Sequence, residues 1–320
     1  MERTHEQAAG SAAVDRWSDD VDLRRTLVRR WAAHQKFHRQ GEIQLNAIVK
    51  EVSPATLFTA SHEHFMAYEL YCAHAPNGEI HDTPELAWGI SGVLSPYMNS
   101  VVRTRLNPEA DVDEVIETVL HRAKQRSVPM GWFLLPGSEP YDMGPKLVAH
   151  GLTYDGADPG MSVDLQALPD RVPSPPHLRI VEVLDRATLE QWMSAWGDSY
   201  NATDIKRQNR FDFRAGQGLD SKLPYRSFLA YLDDQPVATS ELFLGAGVAA
   251  VVWVGTIPAA RRQGIGAAIT LAPLLEARRL GYRIGSLTAS PMGYPVYQQL
   301  GFQEYCRIPV YLWLPAEKQV

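Results

Sequence analysis

The chain has 320 residues, of which 45% are hydrophobic and 21% charged, a composition typical of a globular protein with room for two domains. A net charge of −6 argues against a nucleic-acid partner, and two cysteines are too few for a disulfide framework or a cysteine-rich metal site. There is no apolar run of about 18 residues and no leader pattern, so we expect no membrane partner and a cytoplasmic setting.

The first half of the chain predicts a mixture of helices and strands. Residues 1–18 are polar and rich in alanine, so we expect them to lack fixed structure. Ser53 followed by Pro54 predicts a helix start, with the serine as N-cap and the proline in the first helical position. Apolar periodicity predicts other helices at 19–49, 111–126 and 141–150, and strands at 87–92, 98–106, 130–135 and 161–165.

A proline-rich segment divides the chain. Residues 168–176 contain four prolines, which favour an extended, semi-rigid spacer. The sequence therefore predicts an N-terminal domain at 1–168, a linker at 169–176 and a C-terminal domain at 177–320.

The second half predicts a sheet with helices beside it. Strands are expected at 178–183, 225–232, 237–244, 248–254, 284–288 and 306–314, and helices at 186–200 and 267–279, with a polar irregular stretch at 201–223. A faint repeat relates 130–169 to 284–315, since both run strand, helix, Gly-apolar, strand, Leu-Pro. The repeat predicts two similar units of the α/β (mixed α+β) class, and chance similarity stays an alternative.

A glycine-rich loop follows the apolar strand at 248–254. Arg261-Arg262-Gln263-Gly264-Ile265-Gly266 opens the helix at 267–279. The first N–H groups of a helix have no intrahelical partner and attract anions, and two glycines let a diphosphate approach the backbone. The loop is neither a Walker motif, which ends in Gly-Lys-Ser/Thr, nor a Rossmann fingerprint, which needs a third glycine.

Arg261-x-x-Gly264-x-Gly266 after an apolar strand, with Tyr297-x-x-x-Gly301-Phe302 further on, resembles the GNAT acyltransferase superfamily. The resemblance is specific over 225–314 and weak over 85–168. It implies two GNAT-like domains, each a central mixed sheet flanked by helices, of which the N-terminal one has lost the coenzyme loop. A sheet interface shared across the linker is compatible with this arrangement. An ordinary βαβ packing turn is the alternative for the loop.

The implied function is an acyl-CoA-dependent N-acyltransferase that moves acetyl from acetyl-CoA to the primary amine of a small molecule, without a metal. By resemblance, the N–H of Val254 contacts the thioester oxygen and Tyr297 protonates the departing thiolate. Many members carry an asparagine and an alanine where this chain has Ser290 and Gly293. The residues expected to bind the coenzyme are Val254, Thr256, Arg261, Arg262, Gln263, Gly264, Ile265, Gly266, Ala267 and Ser290.

The general base and the acceptor site are open at this stage. The closest candidate for the general base is Glu241, on the strand that precedes the one leading to the glycine-rich loop, because side-chain alternation could point it toward the site. The alternative is that Glu241 faces solvent, and water would then accept the amine proton. By resemblance, residues 204–214 within the irregular stretch lie where a loop covers the acceptor in this superfamily. Its charged residues, expected either to select the acceptor or to form a solvated surface, are Asp204, Arg207, Arg210 and Asp212.

Three other functions stay open on the sequence. The chain could bind acyl-CoA without turnover as a regulatory protein, acetylate a protein N-terminus or side chain, or use another donor such as aminoacyl-tRNA. The acidic charge balance weighs against the last of these. A homodimer is compatible with the sequence.

Overall fold

A computed structural model describes residues 47–315 of the chain. The segment at 1–18 and all but the end of the helix predicted at 19–49 lie outside these residues. The described part contains seven α-helices: α1 Pro54–Ala73, α2 Val112–Arg126, α3 Met143–Ala149, α4 Arg186–Tyr200, α5 Asp204–Gly216, α6 Ile265–Arg279 and α7 Tyr294–Gln299. No helix within 47–315 is long and apolar enough to cross a membrane.

Between residues 47 and 315, eleven strands form one mixed sheet. They are β1 Glu79–Asp82, β2 Leu86–Ile90, β3 Asn99–Thr104, β4 Met130–Phe133, β5 Thr153–Asp164, β6 Leu178–Glu182, β7 Tyr225–Leu232, β8 Gln235–Gly245, β9 Val248–Thr256, β10 Ile284–Thr288 and β11 Gln303–Trp313. Their order is β1-β2-β3-β4-β11-β5-β10-β9-β8-β7-β6. Only β3 with β4 and β9 with β10 pair in parallel, which confirms the mixed α/β class.

The two halves exchange their last strands. β5, from before the linker, pairs with β10 of the second half, while β11, from the end of the chain, pairs with β4 of the first half. β5 and β11 also pair with each other along most of their length. Backbone hydrogen bonds therefore cross the predicted domain boundary, although the boundary itself stays a prediction.

Helix α1 crosses the middle of the sheet and contacts both halves. Ser53 caps it as predicted, because its side chain accepts from the Thr56 N–H while the Thr56 hydroxyl accepts from the Ser53 N–H. Further along, the hydroxyl of Ser286 in β10 lies 2.8 Å from His64 Nδ1 and 2.7 Å from the Ala60 carbonyl. A helix that precedes the linker thus forms part of the packing of the second half.

The prediction of an irregular stretch at 201–223 is wrong, because α5 occupies 204–216. Thr203 caps this helix by accepting from the Lys206 N–H. Its buried face carries Arg210 and Arg214 beside Phe211 and Phe213. Hydrophobic periodicity missed the helix because two of its core positions are arginines, which are buried only where an acid from another element balances them.

The linker lies against α6. The Arg278 guanidinium donates to the carbonyls of Leu165 and Leu168 and pairs with Asp170. Further on, the Pro173 carbonyl approaches the glycine-rich loop so closely that a Cβ at Gly264 would lie 2.3 Å from it. The proline-rich segment therefore packs against the glycine-rich loop.

A buried carboxyl on α1 makes stability depend on pH. Glu69 accepts a hydrogen bond from the Ser100 hydroxyl, and burial raises its pKa to about 8. The contribution of this raised pKa to the unfolding free energy is complete below the unfolded-state pKa of about 4.3 and is lost as the pH rises through 8. The buried His64, whose pKa burial lowers to about 4, acts with the opposite sign, and only below about pH 6.5.

We therefore expect the unfolding free energy of Glu69→Gln to fall less steeply than that of wild type between about pH 6.5 and 8. The difference between the slopes of the two proteins, plotted as unfolding free energy against pH, should approach about 1.4 kcal/mol per pH unit at the lower end of this window. Urea denaturation at a series of pH values measures it, with Glu63→Gln on the same helix as a partly exposed control. Equal slopes for wild type and Glu69→Gln would show that Glu69 is ionised throughout.

Candidate active site

A crevice opens between the parallel strands β9 and β10. Their register contains only two pairs, Ala249 with Gly285 and Ala250 with Ser286. Beyond them β9 continues to Thr256, while the chain after β10 turns to β5, where the Ala289 N–H donates to the Pro159 carbonyl. The carboxyl ends of adjacent parallel strands commonly form ligand sites, because the strand ends leave backbone groups unpaired.

A β-bulge shapes the wall of this crevice. On β8, Thr239 and Glu241 are two residues apart, whereas their partners on β9, Gly255 and Val252, are three apart. The extra residue puts Trp253 in the left-handed region, at φ +52°, and leaves Trp253 and Val254 without partners in the β8 register. A bulge re-aims the backbone. Val254 therefore lies at the point where the strand faces the crevice, and its role as oxyanion donor stays a prediction.

The glycine-rich loop forms the start of α6. Gly264 adopts φ +80° and precedes the first helical residue, Ile265, which is buried. No side chain within the described part of the chain caps this end of the helix, so its first N–H groups are available to an anion. A Cβ on Gly266 would meet only Thr256 Oγ1, at 3.7 Å, which means that open space lies over this residue. The predicted coenzyme residues Thr256, Gln263, Gly264, Ile265, Gly266 and Ala267 are thus brought together around one helix terminus.

The two arginines of the loop have different surroundings. Arg261 is half-buried and donates to the carbonyls of Thr256, at 3.0 Å, and Ser199, at 3.2 Å. It therefore connects the loop to β9 and α4. Arg262 is exposed and makes no ion pair within the described residues. Its guanidinium is the one available to a phosphate.

Tyr297 is buried in α7, beside the crevice. Burial raises the pKa of its phenol, so the group is protonated at neutral pH, as a general acid must be. Gly293 lies against the ring, and a Cβ there would come within 2.7 Å of it. This close contact explains why the chain has glycine at that position. Ser290 is exposed and its hydroxyl accepts from the Gly293 N–H.

Glu241 is fully buried, and both carboxylate oxygens are occupied. Oε2 accepts from Arg210, at 2.6 Å, and from the Tyr225 hydroxyl, and Oε1 accepts from Arg214, at 3.1 Å, and from the Ser227 hydroxyl, at 3.0 Å. Two guanidinium groups and two hydroxyls therefore already occupy the carboxylate that would have to bind the amine proton. The assignment of Glu241 as general base stays a prediction, and these surroundings do not favour it.

A hydrogen-bonded chain leads from this carboxylate to the bulge. The Tyr225 hydroxyl lies 3.1 Å from that of Tyr68 in α1, and Tyr68 accepts from the indole N–H of Trp253 at 2.6 Å. The Arg210 guanidinium also stacks on the Trp253 ring, 4.2 Å from its centroid. Sequence patterns gave no signal for Tyr68, since it precedes the linker and its partners follow it.

The four predicted acceptor residues do not form one cluster. Arg210 is buried, whereas Asp204 and Asp212 are exposed, the latter bonded to Gln208. Arg207 donates to the carbonyls of Ser194 and Ala202 and pairs with Asp198, so it joins α5 to α4. The wall beside the bulge is aromatic instead, because the rings of Trp196, Tyr200 and Trp253 lie within 5.6 to 6.1 Å of one another and the Tyr200 hydroxyl donates to the Val254 carbonyl.

The second half of the chain is similar to a known domain family. Residues 171–294 match the family model for the acetyltransferase (GNAT) domain. No curated protein matches the chain.

Among solved structures, a GCN5-related N-acetyltransferase from Kribbella flavida is similar at 20% identity, with TM-score 0.61 over 81% of this chain and 97% of that one. A tandem GNAT protein from the clavulanic acid biosynthesis pathway matches at 14% identity and TM-score 0.51, over 77% and 86% of the two chains. A GCN5-related N-acetyltransferase from Sphaerobacter thermophilus matches at 16% identity and TM-score 0.52, over 82% of this chain and 93% of that one. At these identities the similarity shows a shared fold, and all three matches extend across both halves of this chain.

The chain of hydrogen bonds to the bulge predicts unequal effects for two neighbouring tyrosines of α1. Tyr68→Phe leaves the Trp253 indole N–H and the Tyr225 hydroxyl without this partner, so we expect it to lower the unfolding free energy by about 1–2 kcal/mol. Tyr71 is buried in the same cluster, but its hydroxyl has no hydrogen-bond partner among residues 47–315. Tyr71→Phe should change the unfolding free energy by about 0.5 kcal/mol or less. Denaturant titration compares the two, and equal losses would contradict the proposed link.

Proposed function

We propose that this chain is an acyl-CoA-dependent N-acyltransferase that moves acetyl from acetyl-CoA to the primary amine of a small molecule, since residues 171–294 match the family model for the acetyltransferase (GNAT) domain. The observation that carries the proposal is the juxtaposition of an uncapped helix N-terminus with a bulged strand at the mouth of a split sheet. The first suits a diphosphate, and the second suits a carbonyl that becomes an oxyanion.

The loop residues fit the coenzyme. The diphosphate would lie over Gly264 and Gly266, against the first N–H groups of α6 and within reach of Arg262. The acyl-bearing arm would enter the crevice beyond the Ala250 and Ser286 pair, where β9 and β10 separate.

The reaction then needs one proton removed and one supplied. The amine nitrogen attacks the thioester carbon, a C–N bond forms and the C–S bond breaks. In this proposal the N–H of Val254 stabilises the oxyanion, and the Tyr297 phenol transfers its proton to the departing sulfur.

Water takes the proton of the amine in this mechanism. Glu241 is enclosed by Arg210, Arg214, Tyr225 and Ser227, so its carboxylate is committed to hydrogen bonds. We assign to it the support of the bulge through Tyr225 and Tyr68. The aromatic wall formed by Trp196, Tyr200 and Trp253 would contact the acceptor's carbon skeleton.

Tyr297→Phe should lower turnover about 10²-fold or more, because general acid catalysis contributes roughly that factor. Its affinity for acetyl-CoA should stay unchanged, since the ring and its contact with Phe302 remain. Release of free thiol, with a panel of primary amines as acceptors, measures turnover, and calorimetry measures affinity. Tyr231→Phe is the control, because Tyr231 lies in β7 beside the edge strand β6 and its hydroxyl donates to Gln191. Turnover equal to wild type would show that the acid lies elsewhere or that the chain binds acyl-CoA without turnover.

Gly266→Glu should abolish acetyl-CoA binding without unfolding the chain. The new side chain has open space, so the fold tolerates it, but its carboxylate would occupy the place of the diphosphate. Gly216→Glu is the matched control, because that glycine also faces open space and lies in α5, away from the loop. Calorimetric titration with acetyl-CoA compares them, and wild-type affinity in Gly266→Glu would refute the assignment of the loop.

A further inference from the structure

The first half of the sheet contains a second split between parallel strands, and this one is closed at both ends. β3 and β4 pair only at Ser100 with Gly131 and at Val101 with Trp132. Beyond these two pairs, the segment that follows β4 forms hydrogen bonds with the end of β3 again. The Glu139 N–H donates to the Thr104 carbonyl at 2.8 Å, and the Leu106 N–H donates to the Glu139 carbonyl at 3.2 Å. A long coenzyme arm cannot pass between strands that are bonded again at their ends.

A pocket of about 100 Å³ lies at this closed split. Helix α1 forms one side of it, and the ends of β3 and the turn after β4 form the rest. Met66, Val102, Leu135 and Pro136 give it an apolar part, and His62, Glu63, Arg103 and Arg105 give it a polar part. An engineered cavity of about 150 Å³ binds benzene, which has six heavy atoms, so this pocket would enclose roughly four. Because the pocket is open to solvent on one side, a slightly larger ligand can extend into its mouth.

His62 brings an unpaired acceptor to the pocket. Its side chain is only 8% exposed, and Nδ1 lies 2.9 Å from the Phe58 carbonyl, to which it must donate. Burial lowers the pKa of the imidazole, so the ring is neutral at pH 7 and Nε2 carries a lone pair. The nearest acid oxygen, on Glu63, is 3.9 Å from Nε2, which is too far for a hydrogen bond. Nε2 is therefore free to accept a hydrogen bond from a ligand in the pocket.

The charges around the pocket are balanced but separate. Arg103 is already paired with Asp82, at 2.5 Å, and donates to the Thr83 carbonyl. Neither the exposed Arg105 nor Glu63 makes an ion pair with an oppositely charged residue between 47 and 315; the Glu63 carboxylate lies 3.9 Å from the neutral ring of His62. The remaining lining residues carry no charge. One cation, one carboxylate and one neutral acceptor thus face the same small space.

We propose that this pocket binds a small zwitterion, an α-amino acid of the size of glycine or alanine. Its carboxylate would pair with Arg105, and its ammonium group would donate to His62 Nε2 and pair with Glu63. A simple anion would satisfy Arg105 but approach Glu63 and the Nε2 lone pair with no donor to offer. A simple cation would face Arg105. An amino acid offers a partner of the right charge or hydrogen-bonding type to each of the three groups.

Calorimetric titration of the full chain with L-alanine tests this proposal, with propionate and ethylamine as probes that lack one charge each. We expect one L-alanine per chain, and at least about tenfold weaker binding of each single-charge probe. No binding of L-alanine at millimolar concentrations, or equal affinity for propionate, would overturn it.

Variants locate the site. Arg105→Gln and Glu63→Gln should each weaken L-alanine binding about tenfold or more. Arg122→Gln should leave it unchanged, because Arg122 pairs with Glu79, outside the pocket. Unchanged L-alanine affinity in both Arg105→Gln and Glu63→Gln would refute the site and indicate binding at the acceptor crevice. Acetyl-CoA affinity, measured on the same proteins, should match wild type, so failure here is distinguishable from failure of the proposed acyltransferase function.

Discussion

The candidate active site depends on one buried carboxylate. Glu241 lies between the guanidinium groups of Arg210 and Arg214, and each of the three side chains is at most 1% exposed. Leaving one partner of such a group unpaired costs about 3–5 kcal/mol, because an uncompensated charge then remains away from water. The two arginines join α5 to β8, and Arg210 lies against Trp253 at the bulge of β9. The geometry of the crevice therefore follows from an ion-pair cluster that is itself closed to solvent.

The first half of the chain contributes to this site directly. Tyr68 of α1 connects the Glu241 cluster to the Trp253 indole, and β5 forms hydrogen bonds with β10. The exchange of β5 and β11 means that neither half completes its own sheet. Each half of the sheet contains one split between two parallel strands. The split beside β9 is open and suits a long coenzyme arm, whereas the split beside β3 is bridged by Glu139 and suits only a small ligand.

Local patterns predicted the elements whose signals lie within a few residues. β7 and β10 have the predicted bounds, as does α4, because alternation, periodicity and an Asp185 N-cap suffice to define them. The glycine loop was found because its two glycines follow an apolar strand and open a helix, a pattern contained in one short segment. The structure adds that Gly264 adopts a left-handed conformation that few other residues adopt.

The sequence could not predict features that depend on distant partners. Helix α5 was missed because Arg210 and Arg214 become core residues only through Glu241, about 30 residues later. Strand exchange and the role of Tyr68 involve pairs separated by more than 100 residues, for which one sequence carries no signal. The bulge at Trp253 depends on the register between two strands, and an apolar run does not specify register.

The most direct test of this account is the stoichiometry of acetyl-CoA binding to the full chain, measured by calorimetric titration. An open split with a glycine loop in the second half, and a bridged split without one in the first, predict one acetyl-CoA per chain. Two acetyl-CoA molecules per chain would show that the first split opens, and none would show that the uncapped terminus of α6 is not a coenzyme site.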